Sequence, residues 1–86
     1  MESARMADMK TRIGRAIAAR RTALGYKQSE CGDASGLGQR MWSRLESGAG
    51  QTIEKLDAAA QVLGWSVAED IIASARELPD ADETAA

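Results

Sequence analysis

QSECGDASGLGQRMWSRLES, residues Gln28 to Ser47, reads as two short helices hinged on Gly36. Gln28 to Ala34 suffices for about two helical turns, and a glycine at 36 tolerates the positive φ that a sharp reversal needs. Gln39 to Ser47 then restarts a helix. Within it, Trp42 and Leu45 share one inner stripe with Met41 beside them, leaving Gln39, Arg40, Ser43, Arg44 and Ser47 outward. Gly48 is the stop. The outer face thus carries an amide, two guanidiniums and two hydroxyls, with no carboxylate before Glu46. Such groups pair with adenine and guanine edges in a DNA major groove. The candidate base contacts are therefore Gln39, Arg40 and Arg44, with Gln28 at the start of the preceding helix. Ser43 is better placed for phosphate or sugar.

Upstream of this stretch, Met9, Ile13, Ala16, Ile17 and Leu24 form one apolar stripe at helical spacing, and Gly25 ends the run. The opposite face of this first helix is densely basic, with Lys10, Arg12, Arg15, Arg20 and Arg21. It is expected to be solvated, its aliphatic stems lying along the helix. Tyr26 is expected in the core with a wet hydroxyl. Cys31 is expected to face inward as a small hydrophobe. Lys27 precedes the second helix and cannot accept a capping hydrogen bond. Three openings follow: Ser29 takes the role, the helix starts poorly, or Lys27 contacts phosphate. Gly38 stands at the cap of the third helix.

Downstream, Thr52 caps a fourth helix of about Ile53 to Leu63, with Leu56, Ala59, Ala60 and Leu63 inward and Gly64 as its stop. Ser66, with Glu69 three residues later, reads as a capping box for a fifth helix of about Val67 to Arg76. Residues 1–8 have no clear cap or period and read as a frayed arm or an early helical turn; the start is either disordered or lets Arg5 and, just beyond it, Lys10 reach a DNA backbone. Residues 77–86 are proline-broken and acidic, and are expected to be a disordered tail.

Composition agrees with this outline. A chain of 86 residues is one domain, 9–76, and its 44% hydrophobic content with no Phe, one Pro and few β-branched residues points to an all-α fold. One cysteine excludes an internal disulfide, and the absence of histidine leaves no zinc constellation, so no metal or cofactor is expected. A reducing, cytoplasmic setting follows. No run approaches the roughly 18 apolar residues of a membrane span. The net charge of −2 is unlike a DNA-binding protein, but its distribution is uneven. Residues 1–50 hold nine Lys or Arg against five Asp or Glu, whereas residues 51–86 hold two against eight. A basic half presents the paired helices and an acidic half follows.

Gln28, the small residue Gly32, Gly36, Leu37, Trp42, Leu45 and the Leu-Glu-Ser-Gly ending at Gly48 resemble the helix-turn-helix of phage repressor and Cro proteins. The resemblance extends upstream to Ile17, Arg21, Leu24 and Gly25, and downstream to Leu56, Ala60, Leu63, Gly64, Ser66 and Val67, covering roughly residues 13–72. It implies a five-helix, lambda-repressor-like bundle. By the same resemblance, Arg21 pairs with Glu46, the start of the second helix faces a phosphate with Gln28 bracing the glutamine of the next helix, and Gln51, Thr52 and Lys55 grip the DNA backbone. Gly32 is expected to permit the same helix contact as the usual alanine while weakening its helix by about 1 kcal/mol. Trp65, Val67 and Ile71 fall where the family commonly forms a two-fold dimer, which would set two recognition helices roughly 34 Å apart.

The function these readings imply is a small transcriptional repressor of the Cro type, occupying a double-stranded DNA operator as a homodimer. The alternative is a protein-binding module or antitoxin of the same fold. No catalytic residue set is visible, so an enzyme is not expected.

Overall fold

In a computed structural model that describes residues 9–78, those residues form five α-helices and no strand. They are α1 (Met9–Leu24), α2 (Gln28–Ser35), α3 (Gln39–Glu46), α4 (Ile53–Val62) and α5 (Ala68–Glu77). None is long and apolar enough to cross a membrane. The arm, residues 1–8 with Arg5, and residues 79–86 of the expected tail lie outside the described residues. Glu77 and Leu78, by contrast, are not tail: Glu77 closes α5, and Leu78 packs against the core.

α1 packs on α3 and α5, α2 on α3 and α4, and α4 on α5. Their shared core is Ile13, Ala16, Ile17, Cys31, Trp42, Leu45, Leu56, Ala59, Ala60, Leu63, Ala68, Ile71 and Ala75. Five alanines in that set let the helices approach closely, and Trp42, with no exposed surface, is the largest side chain filling the space between them. Two glycines sit at the tightest crossings. A methyl on Gly32 would lie 2.5 Å from the Gln39 amide nitrogen, and one on Gly14 would collide with the Glu46 carbonyl. Gly32 thus does more than stand in for alanine: at this α2–α3 distance no side chain fits.

The turn between α2 and α3 follows its sequence. Gly36 has φ +79°, and the Gly38 amide donates back to the Gly32 carbonyl at 2.9 Å. Ser35 contributes twice: its hydroxyl donates to the Gly32 carbonyl and accepts from the Leu37 amide, both at 3.2 Å. At α4, Thr52 Oγ1 accepts from the Lys55 amide at 3.2 Å, as a capping threonine should.

Four expectations are corrected. The fifth helix starts one residue late for a Ser66–Glu69 box; Asp70, in its first turn, accepts from the Ser66 and Val67 amides at 2.9 and 3.2 Å, and Asp57 Oδ1 from the Ala68 amide at 2.6 Å. These bonds hold the Asp70 carboxyl below its ordinary pKa. Leu24 (39% exposed) and Tyr26 (43%) are surface residues, because α1 overruns the core and the Gly25 turn holds Tyr26 by its backbone. Lys27 does not leave α2 uncapped, since Glu30 reaches back to accept its amide at 2.7 Å. Ser29 takes no part in that cap.

The fourth concerns the basic face of α1, which is largely structural. Arg12 donates to the Ala75 and Arg76 carbonyls at 3.2 Å and to the Leu78 carbonyl, covering the end of α5. Arg20 donates to the Leu63 carbonyl at the end of α4 at 2.9 Å, its guanidinium 5.2 Å from the Trp65 ring. Unpaired carbonyls at a helix C-terminus attract cations, so α1 fastens the ends of two later helices.

Candidate nucleic-acid interface

α3 is amphipathic, with a buried inner face and an exposed outer one. Trp42 and Leu45 are fully buried, whereas Gln39, Arg40, Ser43, Arg44 and Ser47 are exposed. The Ser47 hydroxyl turns back to the Arg44 carbonyl at 2.9 Å, leaving Gln39, Arg40, Ser43 and Arg44 as the outward set. Among the described residues, Arg40 and Arg44 form no ion pair or hydrogen bond through their side chains. Two guanidiniums held on a rigid helix without internal partners are poised for an external acceptor.

Glu46 fixes the helix that carries them. Its carboxylate accepts from Arg21 Nε at 2.6 Å, Arg21 Nη2 at 3.2 Å, Gln28 Nε2 at 2.8 Å and Trp42 Nε1 at 2.7 Å. One carboxylate therefore ties α1, α2 and α3 together. Burial pushes its pKa up, but the hydrogen bonds from Arg21, Gln28 and Trp42 outweigh that and hold it below the ordinary carboxylate value. The same hydrogen bonds hold the Arg21 guanidinium firmly protonated, and the side chain also donates to the Tyr26 carbonyl at 2.9 Å. The last acid of α3 is thus neutralised from the interior side, leaving Arg40 and Arg44 to set the sign of the outer face.

Gln28 is spent in this arrangement. Its amide nitrogen serves Glu46 and not the glutamine of the next helix, which leaves only its carbonyl end free of this bond. Gln51 is similarly engaged, donating to the Lys10 carbonyl at 2.9 Å and the Leu45 carbonyl at 3.2 Å. That bond brings the start of α1 and the loop before α4 to the C-terminal end of α3. At the same end, the position of a Gly50 side chain would lie 3.3 Å from Met41 Sδ and 3.8 Å from Arg44 Nε. Lys10, Arg44, Gly50, Gln51 and the α4 start therefore form one continuous edge, with Thr52 exposed, Lys55 half-buried and Glu54 exposed beside them. Lys27 is exposed at the start of α2, beside Gln28. Ile53, 61% exposed, is the most open large apolar side chain among the described residues, and sequence reading had no signal for it.

The residues read as a dimer contact divide. Val67 is 43% exposed and Trp65 partly so, but Ile71 is wholly buried in the chain's own core, so the outward surface there is Val67 with the edge of Trp65. Cys31 is buried, and burial pushes its thiol pKa up, which leaves it protonated and unreactive at neutral pH. A groove of about 230 Å³ between α2 and α4 is lined by Tyr26, Glu30, Cys31, Ala34 and Val62.

Compared with known protein families, with curated proteins and with solved structures, the chain has no match.

Proposed function

We propose that α2, the Gly36 turn and α3 form a helix-turn-helix of the phage repressor and Cro type, and that the protein represses transcription by occupying an operator as a dimer. The observation that carries this reading is the outer face of α3, where Gln39, Arg40, Ser43 and Arg44 stand exposed on a helix whose inner face is locked by Trp42, Leu45 and the Glu46 hydrogen bonds. In this reading, Gln39, Arg40 and Arg44 read base edges, while Lys10, Lys27, Ser43, Thr52 and Lys55 set register on the phosphates. Glu54 and the engaged side chain of Gln51 make the backbone grip modest, so few phosphates are neutralised and the affinity falls only shallowly with salt. Val67 and the edge of Trp65 supply the two-fold contact.

The exposed Tyr26 and the groove beside it favour a second reading, in which the same fold is a protein-binding module. Titration of duplex DNA flanking the chain's own gene, at low and moderate salt, separates the two. Saturable, sequence-selective binding weakened by Arg40→Ala and Arg44→Ala supports the repressor. Binding to no duplex, with a protein partner retained by both variants, supports the module.

A further inference from the structure

We infer that the chain self-associates head to tail, the exposed Ile53 of one copy seating in the α2–α4 groove of the next. The contact does not depend on the DNA-binding reading.

The groove is longer than its first hollow. A second hollow, of about 350 Å³, shares Ala34 and Val62 with the one of about 230 Å³ beside Tyr26, so the two form one trough between α2 and α4. Its floor is apolar at Cys31 and Val62. A cavity of about 150 Å³ already holds benzene, so a branched aliphatic side chain fits. Glu30 and Asp33, three residues apart on α2, are exposed at the margin, with Lys27 beyond them. Neither carboxylate has an ion pair among the described residues, although Glu30 accepts the Lys27 amide.

The occupant is on the same chain. Ile53, 61% exposed, opens α4 beside the Lys10–Arg44 edge, with Lys55 two residues on and Glu54 between them. An apolar knob among Lys10, Arg44 and Lys55 thus complements an apolar trough edged by Glu30 and Asp33. Ile53 begins α4 and Val62 ends it, about 14 Å apart along the axis and half a turn around it. Facing opposite ways, knob and trough cannot be satisfied reciprocally across one two-fold axis, so the contact is heterologous and repeats from copy to copy.

One apolar side chain and a few exposed ion pairs make a weak contact. Its dissociation constant should be on the order of 100 μM to 1 mM and should rise with salt. Seating Ile53 also covers the Lys10–Lys55 edge and withdraws it from phosphate; that consequence alone rests on the DNA-binding reading.

Sedimentation of the full chain without nucleic acid, across that concentration range at low salt, should show an average mass that rises with concentration. Ile53→Ser and Ala34→Arg, both at exposed helix positions, should each hold the mass lower at every concentration while leaving the circular dichroism spectrum unchanged. Mixing the two variants should restore association, because one keeps the trough and the other the knob. In amide spectra of isotope-labelled Ile53→Ser, unlabelled Ala34→Arg should shift Glu30, Ala34 and Val62. A two-fold dimer through Val67 and Trp65 survives both substitutions, so association that neither variant weakens overturns the inference. A wild type of constant mass, or a mixture no more associated than its components, overturns it equally. None of these results bears on DNA binding, which is measured separately.

Discussion

Replacing Glu46 with alanine leaves three donating side chains without their common acceptor. Trp42 is fully buried, so its indole N–H cannot turn to water; stranding such a donor costs about 1–3 kcal/mol. The Arg21 side chain keeps 19% of its surface exposed, so it recovers part of its hydration, and losing its bidentate contact costs about 1–2 kcal/mol more. Gln28 is half-buried and adds little. The expected loss is about 3–4 kcal/mol, out of a total on the order of 5–10 kcal/mol for a domain of this size. At about 4–8 °C per kcal/mol, the melting temperature should fall by about 15–25 °C. Glu46→Gln keeps one oxygen acceptor and should lose about half as much. Thermal and urea unfolding followed by circular dichroism measure both. A loss below about 1 kcal/mol for the alanine variant would refute the view that this carboxylate joins the three helices.

The same group gives a pH signature. Its pKa in the folded chain lies below the ordinary unfolded value of about 4.3, so the folded state binds fewer protons across that interval. The stabilisation from Glu46 is complete above the unfolded value and is lost as pH falls through the folded one. The stability difference between wild type and Glu46→Gln should therefore stay level down to about pH 5 and shrink below about pH 4.

Other substitutions probe other joints. Gly32→Ala gains about 1 kcal/mol of helix propensity but forces its methyl onto the α3 backbone, so urea unfolding should show a net loss of about 1–3 kcal/mol. Arg12→Ala should free the end of α5, raising amide exchange from Ala75 to Leu78 more than elsewhere and costing about 1–2 kcal/mol in urea unfolding. Ser66→Ala should change stability by no more than roughly 0.5 kcal/mol, whereas Asp70→Ala should lower the melting temperature clearly, because Asp70 is the residue that caps α5.

The helices were legible where local chemistry decides them. The apolar stripe of α1, the glycine stops at 25, 36, 48 and 64, and the Thr52 cap need only residues within one or two turns, and they fall within a residue of their expected places. What local pattern cannot hold is contact between distant residues. Arg12 meets the end of α5 across 63 positions, and Arg20 meets Leu63 across 43, so a periodic basic stripe on α1 gives no hint that its guanidiniums are engaged. Gly14 carries no turn signal, since its role is to admit the α3 backbone. The Arg21–Glu46 pair came from family resemblance, but that resemblance said nothing of Trp42 joining it. Leu24 shows the reverse limit, since an apolar residue in register with a stripe lies outside once the helix outruns its core, and Tyr26 lies outside because the turn after Gly25 holds it by its backbone.

At the candidate interface, amphipathic spacing was enough to set Arg40 and Arg44 outward, because burial of Trp42 and Leu45 fixes the rotation of α3. The engagement of Gln28 and Gln51 was not legible, since an amide at a helix start serves an internal acceptor or an external one equally well until the neighbouring helix is placed. Base reading by α3 is the central claim. Selection of duplexes from a random-sequence pool by the full chain tests it most directly. If α3 reads bases, the pool becomes enriched in a short site containing guanine, with guanine preference at one position relaxed by Arg40→Ala and at another by Arg44→Ala. A pool that stays random, or an enriched site unchanged by either substitution, would contradict it.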